Sequence, residues 1–141
     1  MTLKSKILEQ EKEIRDGNLL ICEYMDWYVP DKRHKGLRRL EIPEEFITIT
    51  DLNYDEWNEP FLVYDNEIKF HKSPMWLIPV LEKIEKDDYE VLINSQEIRI
   101  GTYMGLGMVA WHVEIDREEK TFIEALWMAI VELINHIKTN K

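Results

Sequence analysis

His34, His71, His112 and His136 are the side chains best suited to metal ligation or proton transfer, and none stands at a spacing that such chemistry uses. A helical zinc site needs two histidines four residues apart with a glutamate beside them, and a structural site needs clustered Cys and His. His112 and Glu114 alternate along one expected strand, which puts two possible ligands on one face; ordinary polar surface is the competing reading. Gly101, Gly105 and Gly107 give Gly-x-x-x-Gly-x-Gly, which opens no helix and lacks the dinucleotide pattern, so it reads as a loop. Neither a nucleophile elbow nor a phosphate-cradling lysine loop is found. The carboxylate pairs Glu44-Glu45 and Glu118-Glu119 are neighbours in sequence and need not converge on a substrate. The single cysteine, Cys22, lies in the apolar run Leu-Leu-Ile-Cys and reads as a buried, inert thiol. These residues lead to the expectation of a protein that is not an enzyme and uses no metal or cofactor.

Charge is the more informative feature. From Glu41 to Glu67 the chain carries nine acidic residues and no Lys or Arg, which is nearly all of the net charge of −10. Just before it, Lys32, Arg33, His34, Lys35, Arg38 and Arg39 form a basic block. Tyr54, Trp57, Phe61 and Tyr64 interleave the acidic stretch, so carboxylates stand beside large rings. Such a surface suits a basic groove, where carboxylates replace phosphates and aromatics act as anchors. The competing reading is a solvated acidic face whose rings point inward. A net negative chain is repelled by nucleic acid at long range, which places direct RNA binding through the basic loop second.

The elements that position these poles follow from periodicity. Leu3, Ile7, Leu8 and Ile14 predict an amphipathic helix from Thr2 to Arg15, ended by Asp16-Gly17-Asn18. Leu19 to Met25 predicts a strand, stopped by Pro30. Residues 31 to 41 read as an exposed loop. Phe46 to Thr50 and Phe61 to Tyr64 read as short strands around an acidic loop. Ser73 and Pro74 suit the N-cap and first position of a helix in which Trp76, Leu77, Val80, Leu81 and Ile84 form one stripe. Pro79 interrupts it, so either that helix kinks or it begins at Pro79. Tyr89 to Asn94 and Glu97 to Ile100 predict a hairpin turning at Ser95-Gln96. Met108 to Ile115 predicts a third strand with Val109, Trp111, Val113 and Ile115 on one face, and Glu118 to Thr139 a long helix.

The length allows one domain that buries roughly two-thirds of its unfolded surface. Hydrophobic content of 45% excludes a mainly disordered chain despite 33% charged residues. The expected class is α+β, an antiparallel sheet packed between helices, sandwich-like. Residues 1–69 form an N-terminal elaboration of helix and strand with the basic loop and acidic segment. Residues 70–141 form a helix-hairpin-strand-helix core unit, within one structural domain overall. No secretory or membrane segment is read, so the expected location is the cytoplasm.

The run Phe70-His-Lys-Ser73, Trp76-Leu77, Pro79-Val80 and Glu82-Lys-Ile-Glu85, with Tyr89, Val91 and Ile93, then Ile123-Glu-Ala125 and Ile130-Val-Glu-Leu-Ile134, resembles the phage ABA-sandwich domain of small phage and prophage proteins. The resemblance covers about half the chain, Phe70 to Ile137, and implies a sheet between helices and a mobile-element origin; it carries no catalytic residues. By analogy with small acidic anti-defence proteins, the expectation is an anti-CRISPR type inhibitor of a host nuclease effector. Its contacts would be Glu44, Glu45, Asp51, Asp55, Glu56, Trp57, Glu59 and Asp65, with Lys32, Arg33, His34, Lys35, Arg38 and Arg39 as a second contact. The alternatives are a phage assembly accessory protein that homo-oligomerises, and a small RNA-binding protein using loop 32–39.

Overall fold

The computed structural model describes residues 2–29, 38–43, 45–46, 50 and 61–140. The chain divides into two compact units, Met1–Lys69 and Phe70–Lys141. The class is α+β, with antiparallel sheet packed against helices.

In the first unit, α1 spans Leu3–Tyr24, capped by Thr2, whose hydroxyl accepts from the Ser5 N–H at 3.2 Å. It does not stop at Gly17. Gly17, Asn18, Ile21 and Cys22 are all buried, a helical spacing that carries one face through the run expected to be a strand. Asn18 Nδ2 donates to the Ile68 carbonyl at 3.1 Å, so the residue that reads as a stop signal is a buried tertiary tie. The helix ends nine residues beyond Arg15. Asp26 takes a left-handed φ of 60°, the Trp27 N–H reaches back to the Cys22 carbonyl at 2.9 Å, and the Asp26 N–H reaches that of Glu23 at 3.1 Å. This is a Schellman ending with aspartate where glycine is usual.

β1 (Tyr28–Val29), β2 (Arg38–Leu40) and β3 (Phe61–Val63) form an antiparallel sheet with β2 central. Arg38 and Arg39, expected in a loop, therefore lie on a strand whose backbone pairs on both sides. Glu45, Phe46 and Thr50 are helical, so Phe46–Thr50 does not begin or end as a strand, and residues 47–49 lie outside the described residues. The Phe46 N–H bonds the Pro43 carbonyl at 2.9 Å, a turn that opens a helix and not a ladder.

The second unit is α2 (Pro74–Lys86), β4 (Tyr89–Ile93), β5 (Glu97–Gly105), β6 (Met108–Asp116) and α3 (Phe122–Thr139). α2 begins at Pro74 as one helix with Pro79 inside it. Ser73 occupies the N-cap, but its backbone carbonyl, and not its hydroxyl, meets the Trp76 N–H at 3.2 Å. Trp76, Leu77, Val80 and Ile84 are buried, and the Phe70 and Trp76 rings meet edge to face at 5.1 Å. α3 starts four residues later than expected because Thr121 caps it, accepting from the Glu124 N–H at 3.2 Å. Its buried stripe, Ala125, Leu126, Ala129, Ile130, Leu133 and Ile134, lies across β5 and β6.

The β4–β5 turn is as the sequence suggests: Asn94 Oδ1 accepts from the Gln96 and Glu97 N–H groups at 2.8 and 2.9 Å. The β5–β6 pairing departs from expectation. Ile100 pairs with Val113, but Gly101 pairs with Trp111, so His112 is an extra residue, a β-bulge. Val113 and Ile115 remain buried with Ile98 and Ile100, while Val109 and Trp111 shift to the other side, where the Arg99 guanidinium sits 5.9 Å from the Trp111 ring centre. The four residues expected on one face are thus split into two pairs. Gly101 makes the bulge possible, because a Cβ there would collide with the Ala110 carbonyl and stand 2.9 Å from the Trp111 Cα. The segment Gly101–Gly107 is mostly not a loop: pairing continues to Gly105 opposite Met108, leaving only Leu106 and Gly107 in the turn.

Candidate functional site

The first unit places the described part of the charge poles. β2 carries Arg38 opposite Val63 and Arg39 opposite Leu62. After β3 the chain turns through a short 3-10 helix, Asp65–Glu67, where Glu67 Oε1 accepts from the Tyr64 N–H at 2.8 Å. That turn brings Asp65 to Arg38: Nε donates to Oδ1 at 2.9 Å, with both side chains about one-third exposed. The Asp65 hydrogen bond chiefly, against a contrary effect of burial, holds the Arg38 guanidinium pKa above its ordinary value. One residue from each expected contact surface is therefore engaged with the other.

Glu41 and Glu45 are exposed. Leu40 and Ile42, on either side of Glu41, are buried, so the backbone at Glu41 is fixed by the core while its carboxylate faces water. Among the expected contact residues, Lys32, Arg33, His34, Lys35, Glu44, Asp51, Asp55, Glu56, Trp57 and Glu59 lie outside the described residues. Arg39 is half-buried on β2.

The second unit separates His112 from Glu114. The bulge turns His112 toward α3, where its ring stacks on His136 with centres 4.6 Å apart and 19° between planes, and its Nε2 lies 2.8 Å from Thr102 Oγ1. Glu114 instead reaches the Arg99 Nε at 3.6 Å. The two are not a ligand pair, since the extra residue breaks the strict alternation that the sequence implies. No group of three or more His, Cys, Asp or Glu side chains converges as a metal site among the described residues. His71 is held below its ordinary pKa, by burial first and by Lys72 second. Burial, with a smaller effect of Glu23, pushes the Cys22 thiol up to about 12, so it is protonated and unreactive at neutral pH.

One feature escaped the sequence reading. The β5–β6 tip exposes Met104 (68%), Leu106 (99%) and Met108 (61%), with Tyr103 beside them. Its signal was present, since no Asp, Glu, Lys or Arg occurs between Arg99 and Glu114. The glycines drew that run toward a loop reading, which hid that its apolar side chains stand at the end of a rigid ladder.

No family model matches the chain, and neither a curated protein nor a solved structure matches it. No helix among the described residues is long and apolar enough to cross a membrane.

Proposed function

We propose that the chain is a non-enzymatic accessory protein of phage or prophage type that binds a host nucleic-acid-handling defence effector, of the CRISPR kind, and blocks it. The observation that carries the reading is the stretch Glu41–Glu67, with nine carboxylates, no cation, and Tyr54 and Trp57 among them. A channel that grips phosphates presents Lys and Arg, and a protein bearing carboxylates at comparable density competes for it through the same charge-assisted hydrogen bonds. The exposed Glu41 and Glu45 support this, since carboxylates already in water, unlike Asp65, need give up no internal partner to meet a basic surface. The fixed backbone around Leu40 and Ile42 supports it too, because pre-ordered flanks lower the entropy cost of docking.

The test is plasmid interference. The chain is produced together with each of a panel of CRISPR effectors and a guide against a resident plasmid. Plasmid survival with one effector, lost when Asp55→Lys, Glu56→Lys and Glu59→Lys are combined in a variant that remains folded, is the expected result. Survival that the triple charge reversal leaves unchanged contradicts the acidic-surface reading. No protection across the panel contradicts the CRISPR assignment.

A further inference from the structure

The β5–β6 tip combines left-handed backbone with exposed apolar side chains. Gly105, Leu106 and Gly107 have φ of 88°, 54° and 75°, and pairing of Gly105 with Met108 leaves Leu106-Gly107 as a two-residue turn. Such a turn needs positive φ at both positions, which Asn-Gly supplies with least strain. A leucine there pays twice, since its Cβ opposes the left-handed backbone and its side chain is 99% exposed. Met104 and Met108 flank it at 68% and 61% exposure, and the Gly107 N–H donates to the Tyr103 hydroxyl at 3.3 Å, tying the tip to its own strand. The result is a narrow apolar knob on a nine-residue hairpin arm.

We infer that this knob is a docking element for an apolar cleft with a basic rim on a different protein. Its shape is convex and one hairpin wide, so the complementary surface is concave. No charged side chain lies between Arg99 and Glu114, so seating the tip removes no charge from water. Two flexible thioethers adapt to irregular apolar walls. The shoulder of the knob is acidic: Tyr89 pairs with Thr102 and Glu90 with Gly101, which sets Asp88 just outside the paired register on the tip side and Glu90 two positions from it. Asp87, Asp88 and Glu90 are exposed there, and Asp87 has Lys83 at 3.7 Å. Carboxylates at the base call for cations at the rim of the cleft. They also oppose a bilayer, whose anionic surface recruits apolar tips that are flanked by Lys and Arg. Exposed Lys86 adjoins these carboxylates, but Glu85, Asp87, Asp88 and Glu90 outnumber it and Lys83, and both arginines of the second unit are engaged, Arg99 with Glu97 at 2.8 Å and Arg117 with the Asn94 carbonyl at 2.7 Å. This inference stands on the second unit alone and does not depend on the acidic segment of the first.

The experiment places a photo-crosslinking amino acid at Met108, with Glu132 on the exposed side of α3 as control, in cells that produce the full chain. The expected product joins this chain to one other protein. That protein is then purified and titrated against the native chain, Leu106→Asn and Asp88→Asn. Leu106→Asn is expected to lower affinity by about tenfold or more and to raise the Tm, because Asn-Gly fits the turn. Asp88 has φ of 67°, which asparagine accepts, so Asp88→Asn is expected to keep the fold, weaken binding and flatten its salt dependence. Four results overturn the inference. They are labelling no stronger than at Glu132, a product made only of two copies of this chain or of lipid, affinity indifferent to Leu106→Asn, or a fall in Tm for that variant.

Discussion

Arg38 Nε donates to Asp65 Oδ1 across 2.9 Å, tying central strand β2 to the turn that follows β3. Both side chains are about one-third exposed, so water screens the pair. Asp65→Asn is expected to cost about 0.5–1 kcal/mol, measured by urea unfolding. A double-mutant cycle with Arg38→Gln should show coupling of similar size. Additive losses would mean that the contact holds nothing together.

Gly101 lies against the Ala110 carbonyl and the Trp111 Cα at the bulge that turns His112 toward His136. Gly101→Ala forces backbone on backbone, with no flexible side chain to move aside. The expected loss is about 1–3 kcal/mol in urea unfolding. A neutral result would show that β6 can re-register, and the His112–His136 stack would then be absent from NMR contacts in the variant.

Cys22 is fully buried, and its thiol is pushed up to about 12 by burial chiefly and by Glu23. Iodoacetamide at neutral pH is therefore expected to leave the native chain unlabelled and to modify it on unfolding in urea. Rapid labelling without denaturant would contradict the burial of this face of α1.

His71 has a folded pKa below its ordinary 6.5, through burial first and Lys72 second. The unfolded chain therefore takes up this proton first as pH falls. The contribution to stability is fully present above 6.5 and is lost as pH drops from there toward the folded value. Comparing urea midpoints of the native chain and His71→Gln from about pH 8 to about pH 5 isolates this group. The variant is expected to lose less stability on acidification, and equal losses would contradict the assignment.

The second unit was legible where one local signal had no competitor. Asn94 to Glu97 turns the hairpin through a single side chain, and the stripe Trp76, Leu77, Val80, Ile84 marks one helical face even though Pro79 left the start of the helix open between two positions. Misreadings arose where distant packing reversed a local preference. Gly17-Asn18 is a stop signal by composition, but Asn18 finds the Ile68 carbonyl fifty residues away and the helix runs on. The split of Val109 and Trp111 from Val113 and Ile115 follows from one extra residue, which a period-two pattern cannot encode. At the candidate site, the charge poles are evident in composition, whereas the engagement of Arg38 by Asp65 depends on how β2 and the turn after β3 are brought together. The exposed tip went unread because exposure, unlike periodicity, is set by what fails to cover a residue.

In the proposed function, carboxylates of Glu41–Glu67 meet a basic surface that handles nucleic acid. The most direct measurement is retention of host proteins on the tagged chain from nuclease-treated lysate at low and high salt, with the combined variant Asp55→Lys, Glu56→Lys, Glu59→Lys run in parallel and captured proteins identified by mass spectrometry. A nuclease effector is expected to be held at low salt, released at high salt and absent from the variant. Equal retention by the variant, or recovery of only the chain itself or of virion proteins, would contradict it.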